Sequence, residues 1–245
     1  MGPLANPYPH GGLWTYIPGK KSADLRRLTL TNYPKGHDFH PLGLDIYPSY
    51  GGNASNLFVV NHARERTVIE QFTLSPSQPT QATWVRTIVS NYFVSSNSIA
   101  LTSPTSFYVS NDHLLTRRIP TFLGQVLPIT ETMLGLPLGW LSHISLEHPS
   151  SNSHDVPKIR HTFAALGISF ANGVALSPDG KQVALATSSL GEIYFYSRSP
   201  NNTLKHTHTV PVPFSPDNIR FDGEGALLVT GHPVGILVTS PCKPN

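Results

Sequence analysis

One cysteine in 245 residues, Cys242, excludes an intrachain disulfide, and its place near a Pro-containing C-terminus gives it no sign of a nucleophile's role. No stretch approaches the roughly 18 continuous apolar residues of a membrane span, so none is expected. Residues Met1 to Gly12 hold no basic run followed by an apolar core, so this chain as written carries no export signal; its compartment is not legible. Charged side chains are scarce, 13% of the chain, and the net charge is only +3 despite a pI near 9.0. Lysines and arginines gather only as pairs, Lys20-Lys21, Arg26-Arg27 and Arg117-Arg118, which excludes a nucleic-acid-binding stripe. Sequons at Asn53-Ala54-Ser55 and Asn201-Asn202-Thr203 are short patterns that arise readily by chance.

What the chain has instead is turns: 19 glycines and 23 prolines punctuate short apolar runs, the composition of an all-β protein. The length suits one large domain with a substantial core. Gly12 to Ile17 and Asp24 to Leu30 read as a hairpin turning at Pro18-Gly19-Lys20. Leu44 to Tyr47, Asn56 to His62 and Thr67 to Leu74 read as consecutive strands, with Trp84 to Val89 outside them. Ser98 to Thr102 and Ser106 to Ser110 open another group. Asn111 to His161 is irregular, with Pro120, Pro128 and Pro137 breaking its apolar runs, and would hold either a further blade or a loop or short helix over the top. The pattern returns at Gly173 to Leu176, Gln182 to Thr187 and Glu192 to Ser197, and again at Ile219 to Phe221 and Ala226 to Thr230.

Four units begin on a turn-like step and pass into an apolar strand: Leu42-Gly43-Leu44, Asn97-Ser98-Ile99, Asn172-Gly173-Val174 and Asp217-Asn218-Ile219. Three of them carry oxygen donors at the same relative place. A recurring strand that delivers an amide or carboxylate to one point is how a β-propeller lines its tunnel, and converging hard oxygens favour calcium. Asn172 and Asp217 are about 45 residues apart, one blade with its connections, and the chain length then gives about five blades. Asn97 and Asn172 are about 75 apart, which implies an insertion or an additional blade.

The runs Phe39-His40-Pro41-Leu42-Gly43, Val60-Asn61-His62, Asn97-Ser98-Ile99, Ser110-Asn111-Asp112-His113, Phe170 through Gly180, Asp217-Asn218-Ile219 and Gly231-His232-Pro233-Val234-Gly235 stand in the order found in serum paraoxonases and arylesterases. The chain resembles that calcium-dependent lactonase and esterase family over roughly residues 12–236, with frayed ends at 1–11 and 237–245. The resemblance implies a six-bladed propeller, here incomplete, acting on lactones, aryl esters or phosphotriesters. It implies Asn97, Asn172, Asp217 and Asn218 as ligands of a catalytic calcium, His62 as the water-activating histidine, and His232 as a residue lining the pocket mouth. The implied partner is a small-molecule ester or lactone; oligomeric state is not legible.

Departures from the family pattern accompany the match. Leu42 stands where the second histidine of the catalytic pair belongs, and His40, two residues earlier, is not at the family position. No acid precedes Gly12 to supply the N-terminal ligand carboxylate, and Asp38 and Asp45 are out of place for it. Ser98 replaces an acid of the family's second, structural calcium, so that ion is not expected. The sequence stops soon after Gly235, where the family continues through another blade, and first and last sheets would then expose unpaired edges. The alternatives are a non-catalytic propeller that serves as a binding or interaction module, or a truncated gene product.

Overall fold

The computed structural model describes residues 10–16, 25–147 and 158–233. The turn expected at Pro18-Gly19-Lys20, the sequence after Pro233 and Cys242 lie outside the described residues. Among the described residues, seventeen strands and one helix follow the order β1 (Trp14–Thr15), β2 (Arg26–Arg27), β3 (Thr29–Thr31), β4 (Pro41–Tyr47), β5 (Ser55–His62), β6 (Thr67–Leu74), β7 (Gln81–Ile88), β8 (Ser96–Ser103), β9 (Ser106–Asn111), α1 (Leu123–Met133), β10 (Gly139–Glu147), β11 (Lys158–Ile168), β12 (Ala171–Leu176), β13 (Gln182–Thr187), β14 (Glu192–Arg198), β15 (Leu204–Pro211), β16 (Ser215–Phe221) and β17 (Leu227–His232).

They form five sheets. Three are antiparallel meanders of propeller type: β4-β5-β6-β7, β8-β9-β10-β11 and β12-β13-β14-β15. The first gains a fifth strand, because β3 runs parallel to β7 on its outer edge, Thr29 opposite Gln81 and Thr31 opposite Thr83. Strands β16 and β17 make a two-stranded sheet, and β1 pairs with β2, Trp14 opposite Arg27, as the N-terminal hairpin. The outer strand of the first blade begins at Gln81, three residues before the Trp84 expected from the apolar pattern, because Gln81, Ala82 and Thr83 pair with β3, and Thr83 with β6 as well.

The first strands of the four successive sheets, β4, β8, β12 and β16, lie side by side in that order and line the central channel. Sheets packed face to face leave their middle strands covered on both sides. That is why β9 is buried at all six positions and β5 is buried from Leu57 to Asn61, without the in-out alternation of a half-exposed strand. Phe58 and Phe107, with ring centroids 5.5 Å apart, centre the cluster between the first and second blades. Tyr108, Leu141 and Leu185 belong to the next, and Ala184, Ile193 and Phe221 to the one beyond. Leu13, Leu28 and Phe39 bring the N-terminal segment onto Leu57 and Phe72 of the first blade.

The irregular stretch after Asn111 resolves into an insertion. Helix α1 sits between β9 and β10 of one blade, so the long spacing from Asn97 to Asn172 is one blade with a helical excursion. Its N-terminus has no side-chain cap and no acid in its first turn, and Pro128 lies inside it. Tertiary bonds hold it in place. Buried Glu131 accepts from the Leu114 and Leu115 amides at 3.0 and 2.9 Å, and Ser169 Oγ and Ser189 Oγ donate to Gly135 O and Thr132 O at 2.6 and 3.1 Å.

Candidate active site at the bulged channel rim

Each channel-lining strand breaks its register at the pair that the sequence singles out. On β4 the shift falls between Pro41 and Leu44, on β8 between Ser96 and Ile99, on β12 between Ala171 and Val174, and on β16 between Pro216 and Ile219. Leu42-Gly43, Asn97-Ser98, Asn172-Gly173 and Asp217-Asn218 therefore each stand opposite a single residue of the next strand. These are β-bulges, which bend a strand and re-aim its side chains. Where the bulge carries a side chain at its second position, the opposing residue has a hydroxyl that bonds its backbone: Ser98 N donates to Ser110 Oγ at 3.0 Å, and Thr230 Oγ1 donates to Asn218 O at 2.9 Å.

The bulges touch one another. Gly43 packs on the backbone of Asn97 and Ser98, Val174 N donates to Ser98 Oγ at 3.3 Å, and Gly173 packs on Asp217 and Asn218. The two glycines are required here because a Cβ at either would collide with the neighbouring strand's backbone. One contiguous rim thus presents Leu42, Asn97, Asn172 and Asp217. Beneath it lies a cavity of about 590 Å³ lined by residues that include Leu42, Leu44, Ile46, Ser98, Val174 and Asn218.

Two of the amides are anchored by their nitrogens. Asn172 Nδ2 donates to Ser188 Oγ at 2.8 Å, and its Oδ1 is buried with no partner. A buried amide oxygen without a partner carries a desolvation penalty that a cation would relieve. Asn97 Nδ2 donates to Asp112 Oδ2 at 2.9 Å, which points its Oδ1 away from that carboxylate. Asp217 is partly exposed, with Oδ2 3.2 Å from His232 Nε2, and Asn218 is exposed. Leu42, the one rim position without an oxygen donor, is half exposed. Among the described residues no three His, Cys, Asp or Glu side chains group closely enough to hold a metal, so any site here depends on the asparagine amides.

His62 ends β5 directly beside the Asn97 bulge, its Nε2 2.5 Å from Ser96 O. A carbonyl can only accept, so Nε2 bears the proton and Nδ1 is left as the basic atom. Burial pushes this imidazole below its usual pKa, with Arg118 adding to the effect and the Ser96 hydrogen bond and Asp112 opposing it. His40 does not bring its ring to His62; its backbone oxygen accepts the His62 amide at 3.0 Å, while its own Nε2 is buried without a partner. Asp38 is engaged by Arg64 and Asp45 by the Leu101 and Ile46 amides, so neither reaches the rim as a spare carboxylate.

The Asp112-His113 pair, which in the sequence is only part of the longer Ser110 to His113 motif, adjoins the rim at the Asn97 bulge. Asp112 accepts from Ser95 Oγ, from Asn97 Nδ2 and from His113 Nδ1 at 2.8 Å, and His113 Nε2 lies 2.7 Å from Thr132 Oγ1 on α1. Burial alone would raise the Asp112 carboxyl, yet His113 and the Ser95 and Asn97 hydrogen bonds outweigh it and hold the group below the ordinary carboxylate value. For His113 burial works downward, and the Asp112 partner reverses it, raising the imidazole. Two adjacent polar residues at the end of a wholly buried strand were the available signal.

Comparison with known proteins agrees with this architecture. The family model described as Arylesterase matches residues 10–242. Human serum paraoxonase/arylesterase 1 is 31% identical over 201 residues, 82% of this chain and 51% of that protein. Chicken serum paraoxonase/arylesterase 2 is 27% identical over 199 residues, 81% and 50%. Rabbit serum paraoxonase/lactonase 3 is 25% identical over 218 residues, 89% and 56%. The chain spans about half the length of these curated relatives. A solved protein from Bacteroides uniformis with a suggested 6-phosphogluconolactonase role shares 13% identity at a TM-score of 0.50, covering 90% of this chain and 57% of that one, a likeness of fold alone. By the match across residues 10–242, the chain belongs to the arylesterase family.

Proposed function

We propose that this protein is a calcium-dependent hydrolase of the paraoxonase and arylesterase type, acting on small lactones, aryl esters or phosphotriesters at the bulged rim. The observation that carries the reading is the buried, partnerless Oδ1 of Asn172 beside bulges that also bear Asn97, Asp217 and Asn218. Hard oxygen donors of mixed charge suit calcium, which accepts six to eight of them. Bound there, the ion would polarise the carbonyl or phosphoryl oxygen of a substrate and stabilise the oxyanion that forms.

The chain's own residues supply the rest. His62, kept neutral by burial and fixed through Nε2–H to Ser96 O, offers Nδ1 to accept a proton from water. Asp112 orients the Asn97 amide by holding its nitrogen. His232, tied to Asp217, borders the opening. Leu44 and Ile46 give the cavity an apolar wall for a substrate's acyl or aryl part.

Leu42 favours the second reading, a propeller that binds without catalysis, because an alkyl group at the rim moves no proton. Calorimetric titration of calcium into the purified chain separates the two, with Asn172→Ala as the control and a lactone and aryl-ester screen with and without chelator. Saturable binding lost in the variant, with chelator-sensitive turnover, is expected of the hydrolase. A folded chain that ignores calcium sinks that reading.

A further inference from the structure

Arg118 lies outside the rim, on the loop that leads into α1, and among the described residues no carboxylate pairs with it. Its Nη2 donates to Ala63 O at 2.9 Å and its Nη1 to Thr67 Oγ1 at 3.2 Å. Ala63 is the residue after His62, and Thr67 is the residue that pairs with His62 at the end of the β5-β6 ladder. The guanidinium therefore clasps both sides of the hairpin mouth at which His62 sits.

The contacts continue in a closed circuit. Thr67 Oγ1 donates to Val94 O at 3.3 Å, and Val94 leads into Ser96, whose carbonyl receives His62 Nε2. The 94–96 segment is fixed in turn from the other side: the Val94 and Ser95 amides donate to Asn111 Oδ1 at 3.1 and 3.3 Å, and the Asp112 amide donates to Ser95 O at 3.0 Å. Thr67, Ser96, Asn111 and Ala63 are all buried. One segment, 111–118, thus holds the acceptor of the His62 hydrogen bond at one end and the turn that carries His62 at the other.

We propose that Arg118 is a positioning residue: by bonding Ala63 O and Thr67 Oγ1 together it sets the His62 ring on the Ser96 carbonyl and so fixes where Nδ1 points. It is a bidentate task that a lysine, with a single point of charge, performs only in part. The inference rests on His62 being the functional histidine, but its primary test does not need turnover. The purified chain and its Arg118→Met, Arg118→Lys and Thr67→Val variants are compared by nitrogen-15 spectroscopy of the histidine rings. In the wild type His62 is expected as the Nε2–H tautomer with a slowly exchanging proton. Arg118→Met and Thr67→Val should each mix the tautomers and speed that exchange at least about tenfold, with Arg118→Lys intermediate and calcium affinity unchanged. Should Arg118→Met fail to fold, Thr67→Val, which removes one hydroxyl at nearly constant volume, carries the test. An unchanged His62 ring in folded Arg118→Met or Thr67→Val overturns the proposal. Where ester turnover exists, Arg118→Met should lower kcat about tenfold or more at constant KM; an altered ring without any turnover would instead leave the positioning role intact and count against the hydrolase.

Discussion

Gly173 rests against the backbone of Asp217 so closely that neither could move without the other. A methyl group added to Gly173 would meet the Asp217 carbonyl and lie 2.8 Å from the Ile219 amide nitrogen. Gly173→Ala should therefore cost roughly 2–3 kcal/mol of stability, since the obstruction is backbone on both sides. Gly223, which has nothing near its missing side chain, is the control; Gly223→Ala should change stability by no more than about 0.5 kcal/mol. Urea denaturation of the two variants reads the difference.

Glu70 should be the most costly carboxylate to remove. It is fully buried, and its two oxygens accept from Asn61 Nδ2 at 3.0 Å, Trp84 Nε1 at 3.0 Å and Thr87 Oγ1 at 2.7 Å, with His37 Nε2 2.8 Å away. Glu70→Ala leaves those donors dry and unpaired inside the first blade, an expected loss of about 3–5 kcal/mol. Thermal and chemical denaturation should both register it, whereas Glu224→Ala on an exposed turn should be silent within about 0.5 kcal/mol.

Acid should destabilise the fold through His143. Burial, with Arg198 and His161 adding to it, pushes this imidazole from 6.5 down to about 4, and its Nε2 sits 2.8 Å from Ser106 Oγ. Below its ordinary value the unfolded chain takes up a proton that the folded chain refuses. Stability therefore falls as pH drops from 6.5 toward 4 and levels off beneath. His40, His62 and His161 are shifted in the same direction, while His113 is raised and opposes them. Denaturation midpoints measured across this range should show a shallower slope in His143→Gln than in the wild type.

Leu42→His places an imidazole on the one rim bulge that lacks a polar side chain. Because Leu42 is half exposed, the melting temperature should hardly move. If His62 works alone in the wild type, a second proton acceptor beside it should raise aryl-ester hydrolysis at least about tenfold, read as initial rates at neutral pH. No gain in a variant that binds calcium would show that the rim does not use a histidine pair.

The strands and the rim were legible because their physics is local. A bulge needs an extra residue and often a glycine, and Leu42-Gly43 and Asn172-Gly173 show both in the sequence. Turn strings such as Ser177 to Gly180 and Asp222 to Gly225 likewise appear where they were expected. Helix α1 was legible only as one alternative for the irregular stretch, and its bounds not at all, since a capless segment with Pro128 inside it is held by Glu131 and by serines far along the chain, Ser169 and Ser189. The Glu70 network was hidden for a related reason: its donors come from two strands, β5 and β7, and a loop, a convergence that no window of sequence displays.

Strand β3 lies alongside β7, and its Thr31 hydroxyl meets that of Thr83, 52 positions later. A parallel neighbour cannot form until the strand it copies is in place. During synthesis the segment around Thr29 is made early and is expected to seat late, after β4 to β7 have folded back on one another through short turns. A contact across that distance carries a larger loop-closure entropy cost than the local turns do. The N-terminal segment, with Leu28 beneath it, acts in time as the closing fastener of the first sheet, so its docking should be the last event in that sheet's folding and the first to be undone.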